Sequence, residues 1–250
     1  MKRIISILGI VICIISSLGC YNKDKGEQWY FKRIANGETS ISYPKEFLDR
    51  TSSFWKDENS NEKTIYLTFD AGYINENVLQ ILDILKEEDI PAAFFILGYP
   101  ILKDTDTIKR MKEDGHLICN HTKNHKDISR MTEDEIRKNL SDLEMLYEEK
   151  TGFKLDKYFR PPEGKFSEEA LLVTKDMGYK NIFWSFAYAD WDEGQQIQPQ
   201  KALKKLKEYL HDGEILLLHP TSKTNALILG EFIQYAKAQG YHFKSLDELK

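Results

Sequence analysis

From residue 64 onward the chain alternates short unbroken apolar runs with segments whose apolar positions recur every three or four residues. TIYLTF (64–69) is short and β-rich, and Val78, Leu82 and Leu85 then repeat at helical spacing. AAFFIL follows Pro91 as a second continuous apolar run, the pattern of a strand covered on both faces. Strand, helix, strand implies a parallel pair. A helix is predicted over Asp104 to Glu113, stopping at Gly115, and the next strand is GHLICN. The clearest helix runs from Thr132 to Lys150. Thr132 and Glu135 form a capping-box pattern, Ile136, Leu140, Leu143 and Tyr147 step by four, three and four, and Gly152 ends it. Ser167 can cap a helix that ends at Gly178, followed by the strand YKNIFWSF. A helix around Ala202 to Leu210 precedes EILLL, another spans about Ala226 to Gln239, and YHFKSL supplies a last short strand. Six or seven strands separated by helices, without a repeat, leave an open doubly wound sheet or a barrel of parallel strands. No GxGxxG follows the first strand, so the best argument for a dinucleotide site is missing.

The N-terminus reads differently. Lys2 and Arg3 precede an apolar run from Ile4 to Leu18, too short for a spanning helix and right for an export signal. Cys20 after Gly19 would suit a lipidated N-terminus, although Ser17 and Leu18 depart from that pattern. Lipidation, an uncleaved anchor and simple release stay open, and membrane contact is expected only through this segment. Residues 1–20 are therefore assigned to targeting, 21–61 to a polar tether and surface arm, and 62–250 to one catalytic domain. The aromatics of the arm, Trp29, Tyr30, Phe31, Phe54 and Trp55, are expected to pack it onto that domain. Localisation outside the cytoplasm follows, at the outer face of the membrane or in the wall. Cys119 is the one cysteine beyond the targeting segment, so stability must come from the core rather than disulfides. The chain has 250 residues and a formal charge of −5, with its Lys and Arg spread through helical segments, which argues against nucleic acid as a partner.

The apolar runs end in residues suited to metal-assisted hydrolysis. TIYLTF runs into Asp70, GHLICN into His121 and His125, the run before Arg160 into RPPEG, NIFWSFAYA into Asp190-Trp191, and EILLL into His219. Parallel strands gather their carboxyl ends on one rim, so these residues meet in space. Taken singly, Asp70 could cap a turn, His219 could be a satisfied histidine at the core edge, and an isolated HxxxH is a weak metal signal. Their joint occurrence is what chance explains poorly.

In this order the stretches TFDAG (68–72), HTKNH (121–125), RPPEG (160–164), ADW (189–191) and LLLHP (216–220) resemble the five motifs of the NodB-like polysaccharide deacetylases, carbohydrate esterase family four. The resemblance spans about Glu62 to Leu249. TFDAGY, FAYADWDEGQQ and GYHFKSLDEL look like the branch that de-N-acetylates muramic acid in peptidoglycan, the step toward muramic δ-lactam in spore cortex. It implies a distorted (β/α)7 barrel. It makes Asp70 the general base, His219 the general acid, and His121 and His125 the ligands of a divalent metal, zinc by expectation. Arg160 would hold Asp70 ionised, Asp190 would orient His219, the amide of Glu163 would serve as oxyanion donor, and Trp191 would wall the sugar pocket.

One position departs. Where most of the family has a second aspartate as third metal ligand, this chain has Ala71. The metal would then be weakly held, with water or a nearby carboxylate such as Glu76 filling the gap. The partner implied is a peptidoglycan glycan strand whose stem peptides an upstream amidase has removed. Two alternatives stand beside it: deacetylation of an N-acetylglucosamine polymer, and a catalytically silent wall-binding domain.

Overall fold

The computed structural model describes residues 26–34, 39–59 and 62–249; the targeting segment, Cys20 included, lies outside them. The arm contributes β1 (Glu27–Gln28), β2 (Phe31–Arg33), β3 (Thr39–Ile41), α1 (Lys45–Thr51) and β4 (Ser53–Phe54). The domain follows as β5 (Thr64–Ala71), α2 (Glu76–Glu87), β6 (Ala93–Ile96), α3 (Gly98–Lys103), α4 (Thr105–Glu113) and β7 (Leu117–Asn120). Then come α5 (Glu133–Thr151), β8 (Asp156–Phe159), β9 (Lys165–Phe166), α6 (Glu168–Asp176), β10 (Lys180–Ile182) and β11 (Phe186–Ala187). The chain closes with α7 (Pro199–Glu208), β12 (Glu214–Leu218), α8 (Lys223–Ala238) and β13 (His242–Phe243).

Nine strands form one sheet in the order β11-β12-β5-β6-β7-β8-β10-β4, with β13 beside β5. Every pairing in it is parallel. The two ends of the sheet approach each other. Lys56, just past β4, bridges Glu214 at the start of β12, and the amide of Asp57 donates to the Gly213 carbonyl at 2.9 Å. The result is an α/β architecture, a distorted barrel of parallel strands. β5 is buried along its whole length, as its unbroken apolar run requires.

Helix boundaries follow local chemistry. α5 begins with the capping box, Thr132 accepting from the Glu135 amide and Glu135 from that of Thr132, and ends at Gly152 with φ of 79°. The side chains of Asn75, Ser167 and Ser222 cap α2, α6 and α8 by accepting from first-turn amides, without the reciprocal glutamate. The sequence expectation fails at three places. YKNIFWSF is two strands, β10 and β11, because the chain leaves one neighbour and joins another. GYPILK forms α3, a helix too short to show a period. The described residues of the arm are not irregular: they form four strands and a helix, and β4 joins the barrel sheet beside β10. Trp29 and Trp55 are buried as expected of packing aromatics, but Tyr30 is 68% exposed.

Candidate active site

Asp70, His121, Arg160 and His219 sit at or just past the carboxyl ends of β5, β7, β8 and β12, neighbours or near-neighbours in the sheet, and so face one rim. Asp70, His121 and His219 are the reactive floor of a cavity of about 1020 Å³ that His125, Glu163, Trp184 and Trp191 also line, with Arg160 buried beneath it.

Arg160 is the buried centre of this arrangement, with no exposed surface. Its Nη1 donates to Asp70 Oδ1 at 2.8 Å, Nη2 to Thr68 Oγ1 at 2.9 Å, and Nε to the Ile182 carbonyl at 3.1 Å. The guanidinium also lies 4.1 Å from the centre of the Phe95 ring. A buried charge survives only when paired and hydrogen-bonded, and here both partners meet that condition. Burial alone would raise the Asp70 pKa; the charge and hydrogen bond of Arg160, with His219 beyond, outweigh it, and the carboxyl is held below its ordinary value. Asp70 is thus ionised, oriented and placed on the cavity floor.

His121 Nδ1 lies 2.8 Å from the Arg160 carbonyl. A carbonyl only accepts, so Nδ1 carries the proton, and Nε2 offers its lone pair 3.5 Å from Asp70 Oδ2. Burial drives its pKa down to about 4 against the pull of Asp70, which leaves the ring neutral. His125 packs edge-on at 5.1 Å between ring centres. A lone pair turned toward a carboxylate oxygen calls for a cation or a proton donor between them, and the carbonyl behind Nδ1 is the usual backing of a metal-bound imidazole. Two nitrogen donors therefore suit a divalent ion, but a third protein ligand is missing. Ala71 is fully buried at the end of β5, and among the described residues no group of three His, Cys, Asp or Glu could hold a metal. Glu76, considered above as a substitute, is exposed at the start of α2 and does not line the cavity.

Across the cavity, His219 Nδ1 is 2.7 Å from Asp190 Oδ1, and the His219 amide donates to Asp190 Oδ2 at 2.9 Å. Asn225 Nδ2 donates to the same oxygen at 2.6 Å, and Tyr188 in turn donates to Asn225. Burial would lower the His219 pKa; the hydrogen bond and charge of Asp190, with Asp70 beyond, reverse this and raise it. The ring is held as a proton donor, its other nitrogen left without a described partner. Trp191, 63% exposed, stands edge-on to it at 6.0 Å.

The RPPEG loop is a single turn with Glu163 at φ 56° and Gly164 at φ 67°. A Cβ at Gly164 would meet Trp184 at 2.8 Å and Trp29 at 3.0 Å, so only glycine allows this close approach. Sequence reasoning missed what holds the loop. β1 pairs antiparallel with β9, the Trp29 amide donates to the Gly164 carbonyl at 2.7 Å, and Trp29 Nε1 donates to the Trp184 carbonyl at 3.0 Å. Tyr73 and Asn75 after β5 both donate to Glu193, tying the loop that carries Trp191. These contacts join residues 118 to 155 positions apart, and no local pattern announces them.

A parallel-stranded barrel with an ionised carboxylate, paired imidazoles and a carboxylate-backed histidine on one rim defines a water-activating hydrolase. Residues 57–182 match the polysaccharide deacetylase family model. The peptidoglycan-N-acetylmuramic acid deacetylase PdaA of Bacillus subtilis is 38% identical over 88% of this chain and 84% of its own. The B. subtilis PdaA structure, described as a family 4 carbohydrate esterase, matches with a TM-score of 0.86 over 90% of this chain and 97% of that one. A family 4 pseudoenzyme from Bacillus anthracis is 28% identical, with a TM-score of 0.72, over 79% of this chain and 68% of that one. This chain belongs to the polysaccharide deacetylases, carbohydrate esterase family four.

Proposed function

We propose that the protein hydrolyses the N-acetyl group of N-acetylmuramic acid in peptidoglycan. The observation that carries the reading is the pair of opposed proton-handling groups on one floor: Asp70, held ionised by Arg160, and His219, held protonated by Asp190. Support for the substrate comes from the relative named for that activity.

Asp70 takes a proton from the attacking water as the water's oxygen bonds to the acetyl carbon. The Glu163 amide, on a left-handed turn that lines the cavity, is the donor to the oxygen on which charge develops. His219 gives its proton to the departing nitrogen, and the amine and acetate leave. His121 and His125 would hold a divalent cation, zinc by expectation, weakly for want of a third protein ligand; when bound it polarises the carbonyl. Deacetylases of the family generally use such a cation. Trp191 walls the sugar site. Arg160 and Asp190 touch no substrate and act by orienting the base and the acid.

The setting proposed is the outer face of the membrane or the wall, reached through the N-terminal segment, where Cys20 offers a lipid attachment point, with a role in cortex δ-lactam synthesis downstream of an amidase. The second reading, a silent wall-binding domain, draws on the pseudoenzyme relative, but a binding groove has no need of a matched acid and base. Incubation with peptidoglycan stripped of stem peptides, intact peptidoglycan and chitin oligomers, scoring released acetate, separates the readings. Release from stripped material alone is expected. Equal release from intact material, or release from chitin only, would overturn the assignment.

A further inference from the structure

The cavity has a wall that the catalytic residues do not explain. The hairpin strand β2 lines it with Lys32 and Arg33, in a chain whose net charge is −5. The other full charges on the cavity lining are already matched: Asp70 by Arg160, His219 by Asp190, and the Glu163 carboxylate by Lys165. Among the described residues, neither Lys32 nor Arg33 has a carboxylate partner at ion-pair distance. Arg33 is nonetheless held in place. Its guanidinium lies over the rings of Phe31, Phe186 and Tyr209 at 4.9 to 5.7 Å, and Nη2 donates to the Ala187 carbonyl at 2.9 Å. That carbonyl belongs to the stretch 187–189, which lines the same cavity on the approach to Asp190. A stacked, planar fork with donors to spare is preorganised for a carboxylate.

We propose that Lys32 and Arg33 bind the lactyl carboxylate of muramic acid and so make the arm the specificity element of the site. The inference rests on the substrate reading above. Muramic acid bears its lactyl ether on the ring carbon next to the one carrying the acetamido group. A sugar whose acetyl group lies over Asp70 therefore carries that substituent within the same cavity, whose lining includes Lys32 and Arg33. With the stem peptide removed, the lactyl group ends in an anion; with the peptide attached it ends in a neutral amide. N-acetylglucosamine has no such group. One pair of cations thus discriminates against both wrong substrates, because an unmatched cation gains nothing from either.

The test uses peptide-free glycan strands in two forms, one with native lactyl carboxylates and one with these converted to methylamides, and measures kcat/KM for acetate release. The parent protein should prefer the carboxylate form by about tenfold or more, as expected for a charge-assisted hydrogen bond. The preference should shrink as salt is raised. Lys32→Gln with Arg33→Gln should bring the ratio close to one, while Arg33→Lys, which keeps the charge, should retain part of it. Lys32→Gln alone, at an exposed position, should lower the ratio and serves if the double variant fails to fold. A parent ratio near one, or a folded double variant that keeps the parent's preference, overturns the inference while leaving the deacetylase assignment intact. No acetate from either form overturns the substrate reading and this inference with it.

Discussion

Replacing Asp190 with Asn isolates the acid half of the mechanism. Asp190 is buried, and its carboxylate accepts from the His219 ring, the His219 amide and Asn225 at 2.6 to 2.9 Å. Asparagine keeps the shape but turns an NH₂ toward one of these donors, removing a charge-assisted bond worth about 1.5–3 kcal/mol. Spent on the transition state alone, that loss slows the reaction about 10- to 150-fold. The effect also depends on pH. The His219 pKa is raised only because Asp190 outweighs burial, so in the variant burial dominates and the pKa falls. The alkaline limb of kcat, which reports the loss of the acid, should move to lower pH. Stability should follow the same sign. A raised histidine pKa contributes stability that is fully present below the ordinary value of 6.5 and lost as pH rises through the folded-state value. The variant should therefore lose more in melting temperature at pH 5.5 than at pH 9. Acetate release across pH, with thermal unfolding at both ends, reads all three effects. An alkaline limb that stays in place would refute His219 as the acid.

Two further perturbations address the loop and the metal. Gly164→Ala places a Cβ against Trp184 and Trp29 at a left-handed position, at a cost of about 1–2 kcal/mol in folding. It should also displace the Glu163 amide and lower kcat by about 100-fold; a variant with the expected loss of stability and unchanged kcat would remove that amide from the mechanism. Ala71→Asp should add a hard anionic ligand beside His121 and His125 and tighten zinc binding in a calorimetric titration. Unchanged affinity would mean that position 71 does not face the metal.

The elements that set the site were legible where the physics is local. The apolar run of β5 ending at Asp70, the capping box of α5 and the burial of β12 before His219 all depend on neighbours within a few residues. The gathering of Asp70, His121, Arg160 and His219 followed from parallel strands alone. What escaped depends on distant partners. β4 is two residues whose strand character comes from β10. Trp29 reads as a packing aromatic and is one, yet its amide and indole also brace the RPPEG loop. Lys32 and Arg33 are two ordinary cations in a polar arm until the hairpin sets them against the cavity. Ala71 was visible as a departure, but only the structure shows that Glu76 cannot stand in for the missing ligand.

The central claim is that this one floor removes acetyl groups from muramic acid through Asp70. It is tested most directly by mass analysis of peptide-stripped glycan strands after incubation with the parent protein and with Asp70→Asn. The account predicts muramic residues that have lost acetyl, glucosamine residues that have kept it, and neither change with the folded variant. Acetyl loss on glucosamine instead, or equal loss with Asp70→Asn, would contradict it.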